Sequence, residues 1–153
     1  MQKDISEKVS TPKNPLKHLV FFLRVMGVIY ALLAFLFFFF PSEFFYLVNV
    51  GPKVFKITET IPDSSEKFWL VQGTSMLAML SALSFLGAES PKTRGYLLVH
   101  LLSKTVSSVG FLYLFLNDHR YFAYLVGFIP DSLLGLVLCW FIFSTFWKKN
   151  LAG

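Results

Sequence analysis

Four stretches of this chain are each long and apolar enough to thread a bilayer as helix, and they leave few residues for anything else. They are Leu19–Phe40, Phe68–Gly87, Gly95–Leu116 and Tyr121–Trp147. A hydrocarbon core about 30 Å thick needs about 20 residues of helix to cross it, and every stretch meets that length. Hydrophobic residues make up 55% of the 153 residues and charged residues 15%, with 19 phenylalanines, more apolar surface than a water-soluble fold of this size can hide. The fold class predicted is all-α: a polytopic membrane protein built as a four-transmembrane-helix bundle.

The domain plan follows directly. Residues 1–18 read as a flexible cytoplasmic tail, 19–147 as the membrane domain with an outer loop over 41–67, and 148–153 as a second cytoplasmic tail. Part of the outer loop, "SEFFYLVNV", is too apolar for a free linker and is expected to lie along the bilayer or cap the bundle. The next piece, "KVFKITET", suits either a short strand or a turn of helix. The first span is too long for the core of a secretory signal and no small-residue cleavage site follows, so it reads as a retained anchor. Pro130 predicts a kink in the fourth span.

Orientation comes from the basic residues. Lys3, Lys8, Lys13, Lys17, Lys92, Arg94, Lys148 and Lys149 flank one side, and Lys53, Lys56, Lys67 and Arg120 the other. The richer side is the cytoplasmic one, so both termini are expected there. The formal net charge of +5 is thereby absorbed by tails and loops. No basic helix with interleaved aromatics is present, which argues against nucleic acid as a partner. The single cysteine, Cys139, rules out an internal disulfide and reads as a small buried apolar residue.

Ionisable residues inside the spans carry the most information, because each costs roughly 2.5–3.5 kcal/mol at the bilayer centre if charged and alone. Arg24, His100, Lys104 and Asp131 are the ones present. At about 1.5 Å per residue, Lys104 lies roughly 13 Å and Asp131 roughly 15 Å from opposite edges, so both reach the midplane. The third and fourth spans are joined by a few residues and should be antiparallel neighbours. A Lys104–Asp131 ion pair is therefore predicted. His100 is one turn from Lys104, and Ser103, Ser107 and Ser108 extend the same face. Gly127, Asp131 and Gly135 form a small-residue stripe on the fourth span; Gly27, Ala31 and Ala34 form a seam on the first, starting at Arg24; Gln72, Thr74 and Ser75 are the polar residues of the second.

The candidate binding residues of this polar core are Arg24, Gln72, His100, Lys104, Ser107 and Asp131, with no catalytic or metal-ligating residue assigned. The commoner role of such groups is interhelical adhesion, and Arg24 suits an interfacial anchor. His18, His100 and His119 are too scattered for a bis-histidine haem. No HExxH, GxSxG, Walker or paired-cysteine motif occurs. A Ser103–His100–Asp131 triad can be drawn, but it uses only common residues.

The run "LRVMGVIYALLAFLFFFFP", with Arg24, Gly27 and the helix-closing Pro41, resembles the opening of the DoxX-like small four-helix bacterial membrane proteins. The resemblance implies a four-span architecture and a bacterial inner membrane. It also implies a link to membrane redox complexes.

The function expected is that of a small integral membrane protein without catalysis of its own, an accessory or lipid- or quinone-associated bundle. Its partners are membrane lipid and other membrane subunits or further copies of itself. No cofactor is assigned, with a quinone or lipid as the compatible ligand. The alternatives are a proton-coupled carrier acting as an oligomer, resting on Lys104, Asp131 and His100, and a membrane enzyme on a lipid or quinone, with His100 as acid–base.

Overall fold

The computed structural model describes residues 15–56, 58–61 and 67–147. The expectations for the N-terminal tail up to residue 14 and for the C-terminal tail from 148 lie outside them. The long helices are α1 (Pro15–Phe39), α4 (Lys67–Glu89), α5 (Arg94–Asn117) and α6 (Phe122–Ile142). Two short ones, α2 (Pro41–Val48) and α3 (Val50–Phe55), fill the loop after α1, and a π-helical turn over Phe143–Trp147 extends α6. All four long helices are long and apolar enough to cross a membrane. Among the described residues strand structure is confined to one isolated bridge, Glu59 to Tyr121.

Helix ends follow from local chemistry. Pro15 opens α1 four residues before the predicted span, at a position where its missing N–H costs nothing. Pro41 does more than close the first span: it is the first residue of α2. Its fixed φ suits that place, and it separates α1 from α2 at Phe40. Between α4 and α5 the chain turns at Ser90–Thr93, where the Thr93 N–H donates to the Ser90 carbonyl at 3.0 Å. Pro130 is accommodated within an unbroken α6 and is exposed.

The helices pack as two pairs, α1 on α4 and α5 on α6. Glycines set the close approach inside each pair. Gly27 of α1 lies under the Phe85 ring of α4, Gly73 of α4 under Phe37 of α1, and Gly127 of α6 under Phe111 of α5. Between the pairs, Leu19, Leu23, Ala88, Leu97, Leu138 and Phe141 make one apolar cluster near the α4–α5 turn. Phe22 and Phe141 meet there with ring centroids 5.3 Å apart. Met26, Tyr30 and Leu80 make a second cluster one step further along.

Each long helix thus presents one inward stripe: Leu19, Leu23, Met26, Tyr30 and Ala34 on α1; Leu80, Ser84 and Ala88 on α4; Leu97, His100 and Lys104 on α5; Leu138 and Phe141 on α6. These are helical spacings of three, four and seven. The opposite faces carry Phe21, Leu32, Val71, Leu102, Val106, Leu136 and Trp140, all exposed. Aqueous solvent would penalise such a surface, and lipid would not. Cys139 belongs to that outer surface rather than to the interior, because Leu138 takes the inward position and its neighbour is turned away.

The loop after α1 is bolted to the bundle by polar contacts. The buried Asn49 side chain donates to the Ile61 carbonyl and accepts from the Ile61 N–H, both at 2.9 Å. Glu59 pairs with the start of α6, its N–H donating to the Arg120 carbonyl at 3.0 Å. In "KVFKITET" the first residues are helical, and Lys56 at φ 55° ends α3 in the left-handed region. So α2 and α3 sit at the end where α5 turns into α6, and Gly51 packs against Phe122.

Candidate functional site

The interior of the bundle contains a polar cluster to which all four long helices contribute. Its centre is the pair foreseen from charge and depth: Lys104 Nζ donates to Asp131 Oδ1 at 2.6 Å, with the two side chains 7% and 15% exposed. Gly135, one turn along α6 from Asp131, faces the Lys104 stem; an added methyl would sit 3.8 Å from the Lys104 Cβ, an ordinary contact.

α1 supplies the lid. The Lys104 ammonium lies 4.9 Å from the centre of the Tyr30 ring, a cation over an aromatic face. The same ring stacks on His100, with centroids 6.2 Å apart and planes only 8° from parallel. Tyr30 is thus wedged between two functional groups of α5. It is buried because position 30 continues the Leu19–Leu23–Met26 stripe.

α4 supplies the floor. Ser84 Oγ lies 2.8 Å from the Leu80 carbonyl and 3.1 Å from His100 Nε2. The hydroxyl has one proton. With that proton on the Leu80 carbonyl, Nε2–H of the neutral ring donates to Ser84 Oγ, and Nδ1 presents a lone pair. Nδ1 has no protein partner although it is buried, and the buried Tyr30 hydroxyl has only the Lys104 ammonium beside it. Ser81 is used differently: its hydroxyl donates to the Gly27 carbonyl of α1 at 2.8 Å, a bridge within the α1–α4 pair.

Of the six candidate residues, the structure brings together His100, Lys104 and Asp131. Ser107 is half-buried on the same helix, beyond Lys104. Arg24 and Gln72 are exposed and stand apart from the cluster. Arg24 follows Leu23, which takes the inward position on α1, so its side chain emerges on the outer surface. Ala31, likewise, is turned outward beside Tyr30. Tyr30 and Ser84 are members that sequence reasoning missed. The signal for Ser84 was present, since Thr74, Leu77, Ser81, Ser84 and Ala88 recur at the three-and-four spacing of one helix face.

The Ser103–His100–Asp131 triad is not assembled. Asp131 is engaged by Lys104, and the hydroxyl at the imidazole is that of Ser84. A base without a carboxylate to orient it lacks the arrangement that activates a serine. Among the described residues no three His, Cys, Asp or Glu side chains converge to hold a metal ion.

Comparison with protein-family models, with curated proteins and with solved structures finds no match.

Proposed function

We propose that the protein is a non-catalytic accessory of a membrane assembly, a four-span bundle whose outer surface associates with lipid, a quinone or neighbouring subunits. The observation that carries this reading is the mutual engagement of Lys104 and Asp131, the charged groups at the centre of the interior, which are 2.6 Å apart. A pair so engaged orients two helices and holds each of its charges in the other. The abundance of exposed phenylalanine, leucine and valine on the lipid-side surface gives such a bundle its contact area.

The DoxX-like kinship, the bacterial inner membrane and the cytoplasmic position of both termini belong to this proposal. They are supported by the Arg24, Gly27 and Pro41 pattern and by the excess of basic residues in one set of flanks. Native mass spectrometry of protein released in mild detergent tests the reading. A stoichiometric lipid, quinone or protein partner is the expected result. Turnover of a supplied lipid or quinone by the isolated protein, abolished in His100→Ala with the fold intact, would reject it.

A proton-coupled carrier is the second reading, favoured by His100 Nδ1, a buried atom without a protein partner, beside the ion pair. Proteoliposome flux driven by a pH gradient, compared with Asp131→Asn, discriminates. Equal flux in both proteins removes Asp131 from any such mechanism.

A further inference from the structure

Four buried polar atoms on three helices can be ordered along the bundle axis. His100 Nδ1, Ser108 Oγ and Thr74 Oγ1 lack a protein hydrogen bond, and the Tyr30 hydroxyl has only the Lys104 ammonium beside it. His100 and Tyr30 are 1% and 3% exposed. Measured from the α4–α5 turn at about 1.5 Å per residue, His100 lies about 9 Å up α5, Lys104 about 15 Å and Ser108 about 21 Å. Thr74 lies about 22 Å up α4, level with Ser108. Tyr30 bridges the first two levels, because its ring touches both His100 and Lys104.

Thr74 and Ser108 are half-buried residues that continue the inward stripes of α4 and α5. Ser108 is one turn beyond Lys104 and two beyond His100 on the inward stripe of α5. Thr74 is on the α4 stripe whose Ser81 reaches α1 and whose Ser84 reaches His100. Buried hydroxyls and imidazole nitrogens are rarely left without hydrogen bonds, and the usual partner, where protein supplies none, is water.

Packing is asymmetric about this set. Toward the α4–α5 turn the interior is sealed by Leu19, Leu23, Leu97, Leu138 and Phe141. Toward the α2–α3 end, beyond Ala34, Leu80, Lys104 and Leu138, no described residue of the four long helices is fully buried. Thr145, whose buried hydroxyl also has no partner, lies one turn past Phe141, on the far side of the apolar seal.

We propose that Thr74, Ser108, Tyr30 and His100 line an internal file of water, running from the α2–α3 end to the imidazole beside the Lys104–Asp131 pair, so that protons reach the core from that end alone. A proton carried by a water of the file passes to the Nδ1 lone pair of the neutral ring. The ring becomes an imidazolium, the hydronium becomes water, and Nε2–H keeps its bond to Ser84. The titratable groups around the ring are Tyr30 from α1 and Lys104 from α5 itself, whose ammonium is held by Asp131 of α6; α4 presents only the Ser84 hydroxyl, at Nε2. The file deepens the carrier reading but does not require it, and its test reads water rather than flux, so the two can fail separately.

Water-edited solid-state NMR of the full chain in lipid bilayers, with labelled histidine and leucine, supplies that test. The exposed His18 and His119 give the rate for a solvated ring, and the Leu97 and Leu138 methyls the rate for a dry interior. Magnetisation from water should reach the His100 ring at nearly the solvated rate. In Thr74→Val combined with Ser108→Val it should fall to the dry rate, with the protein still folded. A dry rate at His100 in the wild type overturns the file, and so does a solvated rate that survives the double substitution. Should the double variant not fold, Thr74→Val alone, which keeps the side-chain shape, must slow the transfer for the proposal to stand.

Discussion

The ammonium of Lys104 on α5 is 2.6 Å from the carboxylate of Asp131 on α6, and the Tyr30 ring of α1 covers the same ammonium. One ion pair therefore ties the α5–α6 pair together and presents its positive end to the other helix pair. Removing one partner leaves the other charge buried without compensation, a loss of about 3–5 kcal/mol. Lys104→Ala and Asp131→Ala should each lower the melting temperature in detergent clearly, and the double variant should lose less than the sum. Strictly additive losses in a double-mutant cycle would show that the two groups do not interact.

Ser84 is the protein group that hydrogen-bonds the His100 imidazole. Ser84→Ala strands Nε2 in a buried site and should cost about 1–3 kcal/mol. Ser84→Thr keeps the hydroxyl and should retain most of the stability. A thermal shift series in which alanine and threonine behave alike would mean that packing, not the hydrogen bond, sets the effect.

The spans and the ion pair were legible because charge inside an apolar run is conspicuous and helix rise converts position into depth. Arg24 and Gln72 were less well served by the same reasoning. Depth says nothing of direction, and a residue next to an inward position is rotated by about 100° from it. Leu23 shows this: the stripe that buries it turns Arg24 outward, and Gln72, two residues from the half-buried Thr74, lies about 200° around α4 from it and is exposed. Tyr30 and Ser84 escaped notice for the opposite reason. Both are common in membrane helices, and only the stripes of two helices read together bring them to His100. The helices of the 41–61 segment were not resolved from sequence either, because what fixes them is the side chain of Asn49 on the Ile61 backbone, a contact across twelve residues.

That contact yields its own prediction. Asn49→Ala removes both hydrogen bonds to Ile61 and leaves two backbone groups of a part-buried turn unsatisfied, at a cost of about 1–3 kcal/mol. Because the loop packs at one end of the bundle, the loss should be local. Hydrogen exchange should accelerate over 49–61 with little change in α4 or α5 away from that end. Acceleration spread evenly through the four long helices would show that the clamp supports the whole bundle.

The glycines offer a comparison between neighbouring helices in which opposite signs are expected. A methyl added at Gly127 would fall 2.4 Å from the Phe111 ring, whereas one added at Gly110 would meet nothing within 4 Å. Gly127→Ala must displace the ring that joins α6 to α5, at a cost of about 1–3 kcal/mol. Gly110→Ala meets no obstacle and gains the helix preference of alanine over glycine, about 1 kcal/mol, so it should raise the melting temperature. The pair is informative because both substitutions add the same atom to the same kind of helix. Only the packing differs, and it reverses the sign. A melting temperature unchanged or raised by Gly127→Ala would mean that α5 and α6 are not held at glycine distance, and the approach that brings Lys104 to Asp131 would then need another cause.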